Sequence, residues 1–136
     1  MNILWKSASP RLISFDFVQS AIQSSDYYII NVLPCNDQDC LIRGTISATN
    51  EEQILNKMIQ SVTTPDKKLI LYGKNCNDET VNEKMTQLKK LGLCDIFIYR
   101  GGLFEWMLLQ DIYGEKEFPT TTRELDILRF KPTTTL

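Results

Sequence analysis

Two short, continuous runs of apolar residues constrain the fold of this chain more than any other feature. They are YYIINVL at 27–33 and KKLILY at 67–72, and a third run, CDIFIYR at 94–100, has a similar character. Continuous apolar character, without the alternation of a half-exposed strand, is typical of parallel strands that are buried on both faces. The three runs therefore predict the central strands of a parallel sheet.

Segments with a helical spacing of apolar residues separate these strands. Helices are predicted at 15–23 (with Ser14 as the capping residue), 51–62, 79–92 and 103–113. The residues predicted to face the core are Ile54, Leu55, Met58, Ile59 and Val62 in the second helix, Val81, Met85, Leu88 and Leu91 in the third, and Leu103, Trp106 and Met107 in the fourth. A short strand at 9–14 and an extended segment at 41–48, which turns at Gly44, complete the alternation. Such alternation predicts an α/β fold with right-handed crossovers and helices on both faces of the sheet.

Composition excludes several classes of function. The chain of 136 residues has a length that suits one domain, predicted to span 1–136, and it contains no histidine. A Ser-His-Asp triad, a Cys-His pair and a histidine-ligated metal are therefore excluded. The net charge is −2, and Lys67-Lys68 and Lys89-Lys90 are isolated pairs rather than a basic face. We accordingly expect no nucleic-acid partner.

The four cysteines and the absence of a long apolar run indicate the compartment. No run approaches the ~20 apolar residues that span a bilayer, so no membrane insertion is expected. MNILWKSASP, at the N-terminus, lacks the features of a signal or transit peptide. Cysteines in such a chain are expected to be free thiols in an intracellular, by default cytoplasmic, location, with organellar or cytoskeletal association open. Cys35 and Cys40 have no second pair to complete a zinc site, so neither a metal nor another cofactor is expected.

Four segments, taken in order, resemble the rhodanese-homology family. RGGLFEW (100–106) is similar to the Gly-Gly-x-x-x-Trp pattern that closes these domains, and YYIINVL is similar to their Ile-Asp-Val-Arg strand. LIRGTISA (41–48) is similar to their His-Ile-x-Gly-Ala-Ile segment, and KKLILYG, followed by a helix that ends in LKKLG, is similar to the strand, loop and helix of their active site. The resemblance spans about 9–119 and leaves 120–136 as a C-terminal extension. It implies a three-layer fold with a five-stranded parallel sheet and a ligand loop at the C-terminal ends of the strands.

This chain departs from the family at the positions that carry the chemistry. The resemblance places Gly73 where the family has the cysteine that becomes a persulfide, and an acidic residue, Asp78 or Glu79, where the loop often closes with arginine. The aspartate, arginine and histidine of the other family segments correspond to Asn31, Leu33 and Leu41. The candidate active loop comprises Gly73, Lys74, Asn75, Cys76, Asn77, Asp78 and Glu79.

Cys76 supports two interpretations of the loop. As a functional residue it lies near the positive end of the following helix, where a thiolate is favoured, and carries a persulfide or acts as a redox thiol. As a structural residue it is an ordinary loop cysteine, and Asn75, Asn77 and Asp78 form a turn and a helix cap. Lys74 offsets one negative charge against the two of Asp78 and Glu79. Cys94, at the start of a strand, is interpreted as a small buried hydrophobic residue.

The resulting functional prediction is a non-catalytic rhodanese-like domain that acts as a binding or scaffold module, or as a subunit of a larger assembly with a protein partner. The alternative is a noncanonical sulfurtransferase or thiol-redox enzyme that uses Cys76. Apolar and acidic residues at 108–121, together with Leu125, Ile127, Leu128 and Phe130, predict either a docking surface or a segment that packs back on the domain.

Overall fold

Four parallel strands form the sheet of this protein. The computed structural model describes residues 11–60 and 67–133. The strands are β1 (Arg11–Ile13), β2 (Tyr27–Asn31), β3 (Lys68–Tyr72) and β4 (Ile96–Tyr99). The helices are α1 (Phe15–Ile22), α2 (Ala48–Gln60), α3 (Thr80–Lys90) and α4 (Gly102–Tyr113), with short 3₁₀ helices at Cys35–Asp37 and Ile127–Phe130. Within these ranges, no helix is long and apolar enough to cross a membrane.

The strand order is β1-β4-β3-β2, and each neighbouring pair is parallel. The three apolar runs are therefore neighbours in one parallel sheet, as predicted, but β2 lies at the edge of the strand order rather than at its centre. In the register, Ile29 lies opposite Ile70, and Ile70 lies opposite Phe97. All four strands end at the same edge, so the loops that follow β3 and β4 meet there.

The prediction of five strands is wrong for the described residues. The segment at 41–48 forms only two isolated bridges, a parallel one from Thr45 to Ile29 and an antiparallel one from Ile42 to Thr120. Gly44 lies between them with a φ of 95°, in the left-handed region, and the chain turns there. Because of this turn, the segment leaves the edge of the sheet after one bridge to β2.

The core consists of two clusters, one on each face of the sheet. Alternate residues of β3 point to opposite faces, as the strand period requires. Ile70 and Tyr72 join the cluster with α1, α4 and Trp106, whereas Leu69 and Leu71 join the cluster with α2 and α3. The predicted burial of Trp106 is confirmed. Residues 9 and 10 of the first predicted strand and Val62 lie outside the described residues.

Two predicted core positions are wrong. α3 ends at Lys90, so Leu91 lies beyond the helix and is 50% exposed, while Leu93 is buried instead. Cys94 is also exposed, because β4 begins only at Ile96. In both cases the helix or strand is shorter than the apolar pattern indicated.

The C-terminal segment (118–133) packs against α4 through part of its length. Phe118 and Phe130 are buried, and the indole N–H of Trp106 donates a hydrogen bond to the carbonyl oxygen of Pro119 at 3.1 Å. Leu125 and Leu128 are 82% and 64% exposed. The segment therefore packs back on the domain through the two phenylalanines, whereas the two leucines face the solvent.

Candidate functional site

The loop between β3 and α3 (the β3–α3 loop, 73–79) lies at the C-terminal edge of the sheet, against the turn between β4 and α4. The backbone N–H of Leu103 donates to the carbonyl oxygen of Gly73 at 3.0 Å, and that of Phe104 donates to Lys74 at 2.9 Å. These contacts provide acceptors for N–H groups in the first turn of α4, which have no partner within the helix. The loop therefore lies where it was predicted, at the C-terminal edge of the sheet.

Gly102 allows the close contact between the turn and the loop. Its φ is 70°, and a Cβ atom at this position would lie 2.7 Å from the carbonyl oxygen of Gly73 and 3.0 Å from the backbone nitrogen of Asn75. Residues that have a side chain rarely adopt this φ, and an added carbon would overlap the loop backbone. The second glycine of the Gly101-Gly102 pair is therefore required for the approach of α4 to the loop.

The carboxylate of Asp78 fills the centre of the β3–α3 loop. One of its oxygens, Oδ2, accepts a hydrogen bond from the backbone N–H of Lys74 at 2.8 Å. The other, Oδ1, accepts from the backbone N–H of Thr80 at 3.1 Å and from the hydroxyl of the same residue. A Cβ atom added at Gly73 would lie 2.9 Å from the Asp78 carboxyl carbon and still closer to Oδ2. The carboxylate therefore occupies the volume that a side chain at position 73 would need.

Other N–H groups of the loop are also satisfied from within it. The backbone N–H of Asn77 donates to the side-chain oxygen of Asn75 at 2.9 Å, and that of Asp78 donates to the carbonyl oxygen of Asn75 at 3.2 Å. This is the geometry of an asparagine-centred turn followed by an aspartate at the start of a helix. The loop is therefore bonded internally, and these donors do not converge on an external anion.

The C-terminal segment covers the loop. The side-chain amide of Asn75, which is buried, donates to the carbonyl oxygens of Phe130 at 2.9 Å and Lys131 at 3.2 Å. The amide of Asn77 donates to Thr133 at 3.2 Å. These hydrogen bonds join residues more than fifty positions apart, and the sequence contains no local signal of them. The contact is found only in the structure, where each asparagine amide lies next to a backbone carbonyl group of the C-terminal segment.

The remaining charged residues of the loop face outward or bond locally. The Nζ atom of Lys74 lies 5.8 Å from the ring centroid of Phe130, and Glu79 accepts a hydrogen bond from the amide of Asn82 at 2.7 Å. Asp78, rather than Glu79, is thus the acidic residue that faces the interior of the loop. The exposed sulfur of Cys76 has a weak contact, at 3.8 Å, with Oδ1 of Asn77.

The other two cysteines of interest do not form a metal centre. Cys35 is exposed, whereas the thiol of Cys40 is buried and donates to the carbonyl oxygen of Thr122 at 3.3 Å. In residues 11–60 and 67–133, no group of three or more acidic, cysteine or histidine side chains could hold a metal ion.

Three positions where the resembling family has polar residues are buried in this protein and have structural roles: Asn31, Leu33 and Leu41. Asn31 accepts hydrogen bonds from the backbone N–H of Leu33 at 3.0 Å and from the amide of Gln38 at 2.7 Å. Leu33 and Leu41 are buried in the cluster on the α1 and α4 face. In the described residues, no hydrogen bond joins the Asn31 side chain to the β3–α3 loop, and the two leucine side chains pack in the core.

Two buried tyrosines next to the loop act as fixed hydrogen-bond partners. The hydroxyl of Tyr72 lies 2.7 Å from that of Thr45, and burial raises the pKa of Tyr72 above its usual value. The hydroxyl of Tyr99 donates to Glu105 at 2.6 Å, and burial, with a further contribution from Glu105, raises the pKa of Tyr99 as well. Both phenols therefore stay protonated at neutral pH.

No protein-family model matches the sequence, and no curated protein resembles it significantly. Solved structures do resemble the fold. The BH2092 protein from Bacillus halodurans matches with a TM-score of 0.59 and 15% identity over 82% of this chain and 78% of that chain. The Alr3790 protein from Anabaena sp. matches with a TM-score of 0.58 and 18% identity over 86% and 97%.

Several structures of the protein EanB also match. The complex of its T414V variant with hercynine has a TM-score of 0.55 and 16% identity, and the match covers 74% of this chain. The chain spans about a quarter of EanB, since 26% of that protein is covered. Another EanB structure contains ergothioneine covalently linked with a cysteine persulfide. At these identities the likeness shows the fold alone: a four-stranded parallel sheet with four helices, consistent with a rhodanese-like architecture.

Proposed function

We propose that this protein is a rhodanese-like domain that has lost sulfur-transfer chemistry and serves as a protein-binding or scaffold module within a larger assembly. The observation that carries the proposal is the position of the Asp78 carboxylate. It lies beside Gly73, where a nucleophile would project, and accepts the hydrogen bond of the Lys74 N–H.

Electrostatics explains why this arrangement opposes the chemistry. Sulfur transfer from thiosulfate requires an anionic donor to approach a thiolate that is stabilised by convergent N–H groups. Two like charges 4 Å apart near a protein surface repel each other by about 4 kcal/mol. The carboxylate of Asp78 therefore repels the donor and also engages N–H groups that would stabilise its charge.

The cover over the loop supports the same proposal. Asn75 and Asn77 hold carbonyl groups of the C-terminal segment against the loop. A carbonyl oxygen carries partial negative charge, so this cover adds no attraction for an anion. The segment that closes the loop also exposes Leu125 and Leu128, which are available to a partner.

A second candidate function uses Cys76. Its exposure supports this alternative, since only an accessible thiolate can attack a sulfur donor. The persulfide in one EanB structure provides a chemical precedent on a similar fold. Here Cys76 would carry the persulfide on the exposed side of the loop rather than at its centre.

A sulfur-transfer assay separates the two candidates. We expect the purified protein to transfer no sulfane sulfur from thiosulfate to cyanide, and the Cys76 peptide to show no added sulfur in mass spectrometry. A cyanide-labile gain of one sulfur atom on Cys76, absent from Cys76→Ser, would establish the thiol enzyme and refute the scaffold proposal.

Restoring the nucleophile provides a positive control for this assay. Gly73→Cys with Glu79→Arg alone should stay inactive, because Asp78 still occupies the space of the new side chain. Adding Asp78→Ala to that pair should produce measurable activity, since it empties the centre of the loop. Activity in the pair without Asp78→Ala would show that Asp78 is not the block.

A further inference from the structure

Exposed apolar side chains gather where the second half of α4 meets the C-terminal segment. Of the eight large hydrophobic residues that are exposed in the described part of the chain, five lie between 108 and 128. Four of these five, with Asp111 of α4 and Glu115 in the turn that follows the helix, define what we call the α4–tail surface: Leu108, Asp111, Ile112, Glu115, Leu125 and Leu128.

The two parts of the α4–tail surface are adjacent. Asp111 of α4 and Glu115, just after the helix, line a cleft of about 290 Å³ together with Arg123, Leu125 and Ile127 of the C-terminal segment. Leu108 lies three residues before Asp111 and four before Ile112. Residues three or four apart share one face of a helix, so Leu108 neighbours both on the surface of α4. Leu125 therefore belongs to the cleft itself, and Leu108 and Ile112 form an exposed apolar pair on α4.

This surface is fixed in place before any partner binds. Phe130 is 1% exposed and anchors the end of the 3₁₀ helix that carries Leu128. Arg129 forms ion pairs with Asp37 at 2.6 Å and Glu124 at 2.8 Å. A preformed surface requires little ordering on binding, which lowers the entropic cost of association.

The charge around the surface is predominantly acidic. Asp111, Glu115, Glu117 and Asp126 are exposed and form no ion pair with any other described residue. Within residues 108–128 only Lys116 and Arg123 carry the opposite charge, and Arg123 lines the same cleft as Asp111 and Glu115. The C-terminal end of α4 adds the negative end of its dipole. The surface therefore attracts a basic partner and repels an anionic membrane.

We propose that the α4–tail surface binds a basic amphipathic helix of another protein. The apolar stripe of that helix would cover Leu108, Ile112 and the two exposed leucines of the C-terminal segment, while its lysines or arginines would meet Asp111 and Glu115. Recognition of an amphipathic helix by an apolar surface with complementary charges is a general mode of peptide binding. This inference rests on the proposed function as a binding module and specifies its partner.

A synthetic helix tests this proposal with the full chain. The probe is a fluorescent peptide of leucine and lysine, about 18 residues long, with leucines at helical spacing. We expect saturable binding in fluorescence anisotropy that weakens with added salt. Leu125→Ser with Leu128→Ser should weaken it about tenfold, as for the loss of central apolar contacts. Asp111→Asn with Glu115→Gln should reduce its salt dependence.

A matched pair of exposed leucines elsewhere provides the control. Leu12 and Leu91 are 57% and 50% exposed, and Leu12→Ser with Leu91→Ser should leave the affinity unchanged. Equal weakening by the control pair, or equal binding of a leucine and glutamate peptide, would overturn the proposal. So would binding to phosphatidylserine vesicles in place of the peptide, or a dimer of this chain that Leu125→Ser with Leu128→Ser abolishes.

The outcome is separable from that of the proposed function. The absence of peptide binding would refute the basic-helix partner alone, since the loss of chemistry is measured by the sulfur-transfer assay. Sulfur transfer through Cys76, together with unchanged peptide binding, would refute the non-catalytic proposal and leave the α4–tail surface intact.

Discussion

The β3–α3 loop and the β4–α4 turn lie side by side at the same edge of the sheet, and both depend on glycine for different reasons. In the turn, Gly102 has a φ of 70° and lies against the backbone of the loop, so the position requires the absence of a side chain. In the loop, Gly73 leaves space that the carboxylate of Asp78 fills. One glycine therefore allows the close contact between α4 and the loop, and the other leaves the space that a carboxylate fills.

Under the proposed function, the frame is retained while the chemistry is lost. The frame is maintained by backbone contacts, such as those from Leu103 and Phe104 to the loop, and these tolerate many side chains. The chemistry requires one nucleophile and a set of unoccupied N–H donors. The carboxylate of Asp78 engages the backbone N–H groups of Lys74 and Thr80 while the backbone contacts stay in place.

The largest effect is expected from Gly102→Ala. The new Cβ would overlap the backbone of the loop in a left-handed conformation, and we expect a loss of about 3–4 kcal/mol in the free energy of unfolding. Gly92→Ala is the matched control, because φ is 102° there and nothing lies within 4 Å of the added carbon. It should cost about 1–2 kcal/mol. Equal losses in urea unfolding would mean that contact with the loop does not restrict position 102.

A smaller loss is expected from Asn75→Ala, which detaches the loop from the C-terminal segment. The change removes two donated hydrogen bonds and one accepted hydrogen bond at a buried site, for about 2 kcal/mol. Asn77→Ala removes a single exposed contact with the same segment and should cost about 0.5 kcal/mol. Similar unfolding free energies for the two variants would show that the cover over the loop is not held by Asn75.

The smallest of the three effects, Gly73→Ala, tests whether Asp78 fills the space beside Gly73. The added carbon meets the carboxylate and a methyl group of Val81, 2.7 Å away, so we expect a loss of about 1–2 kcal/mol. In an Asp78→Ala background the loss should fall by about 0.5–1 kcal/mol, measured as a double-mutant cycle. If the losses in unfolding free energy from the two substitutions simply add, the carboxylate of Asp78 does not lie beside Gly73 in solution.

Several features of the site could be predicted from the sequence, and others could not. The continuous apolar runs predicted three neighbouring parallel strands, and the order of these strands placed the loop at the correct edge. The ends of the helices and strands were predicted less accurately. Cys94 and Leu91 continue an apolar pattern but lie outside β4 and α3, because the chain turns before the pattern ends. The extended segment at 41–48 turns away at Gly44, so it contributes bridges and no fifth strand.

By itself, the sequence determined the alternation of helices and strands, the absence of a cysteine at position 73 and the acidic character of the loop. These are local properties, since periodicity and residue identity do not depend on distant contacts. Tertiary structure alone decided that Asp78, rather than Glu79, points into the loop and that carbonyl groups of the C-terminal segment cover it. Both outcomes depend on the packing of segments far apart in the chain, where many pairings are compatible with one local pattern and only the complete core selects among them.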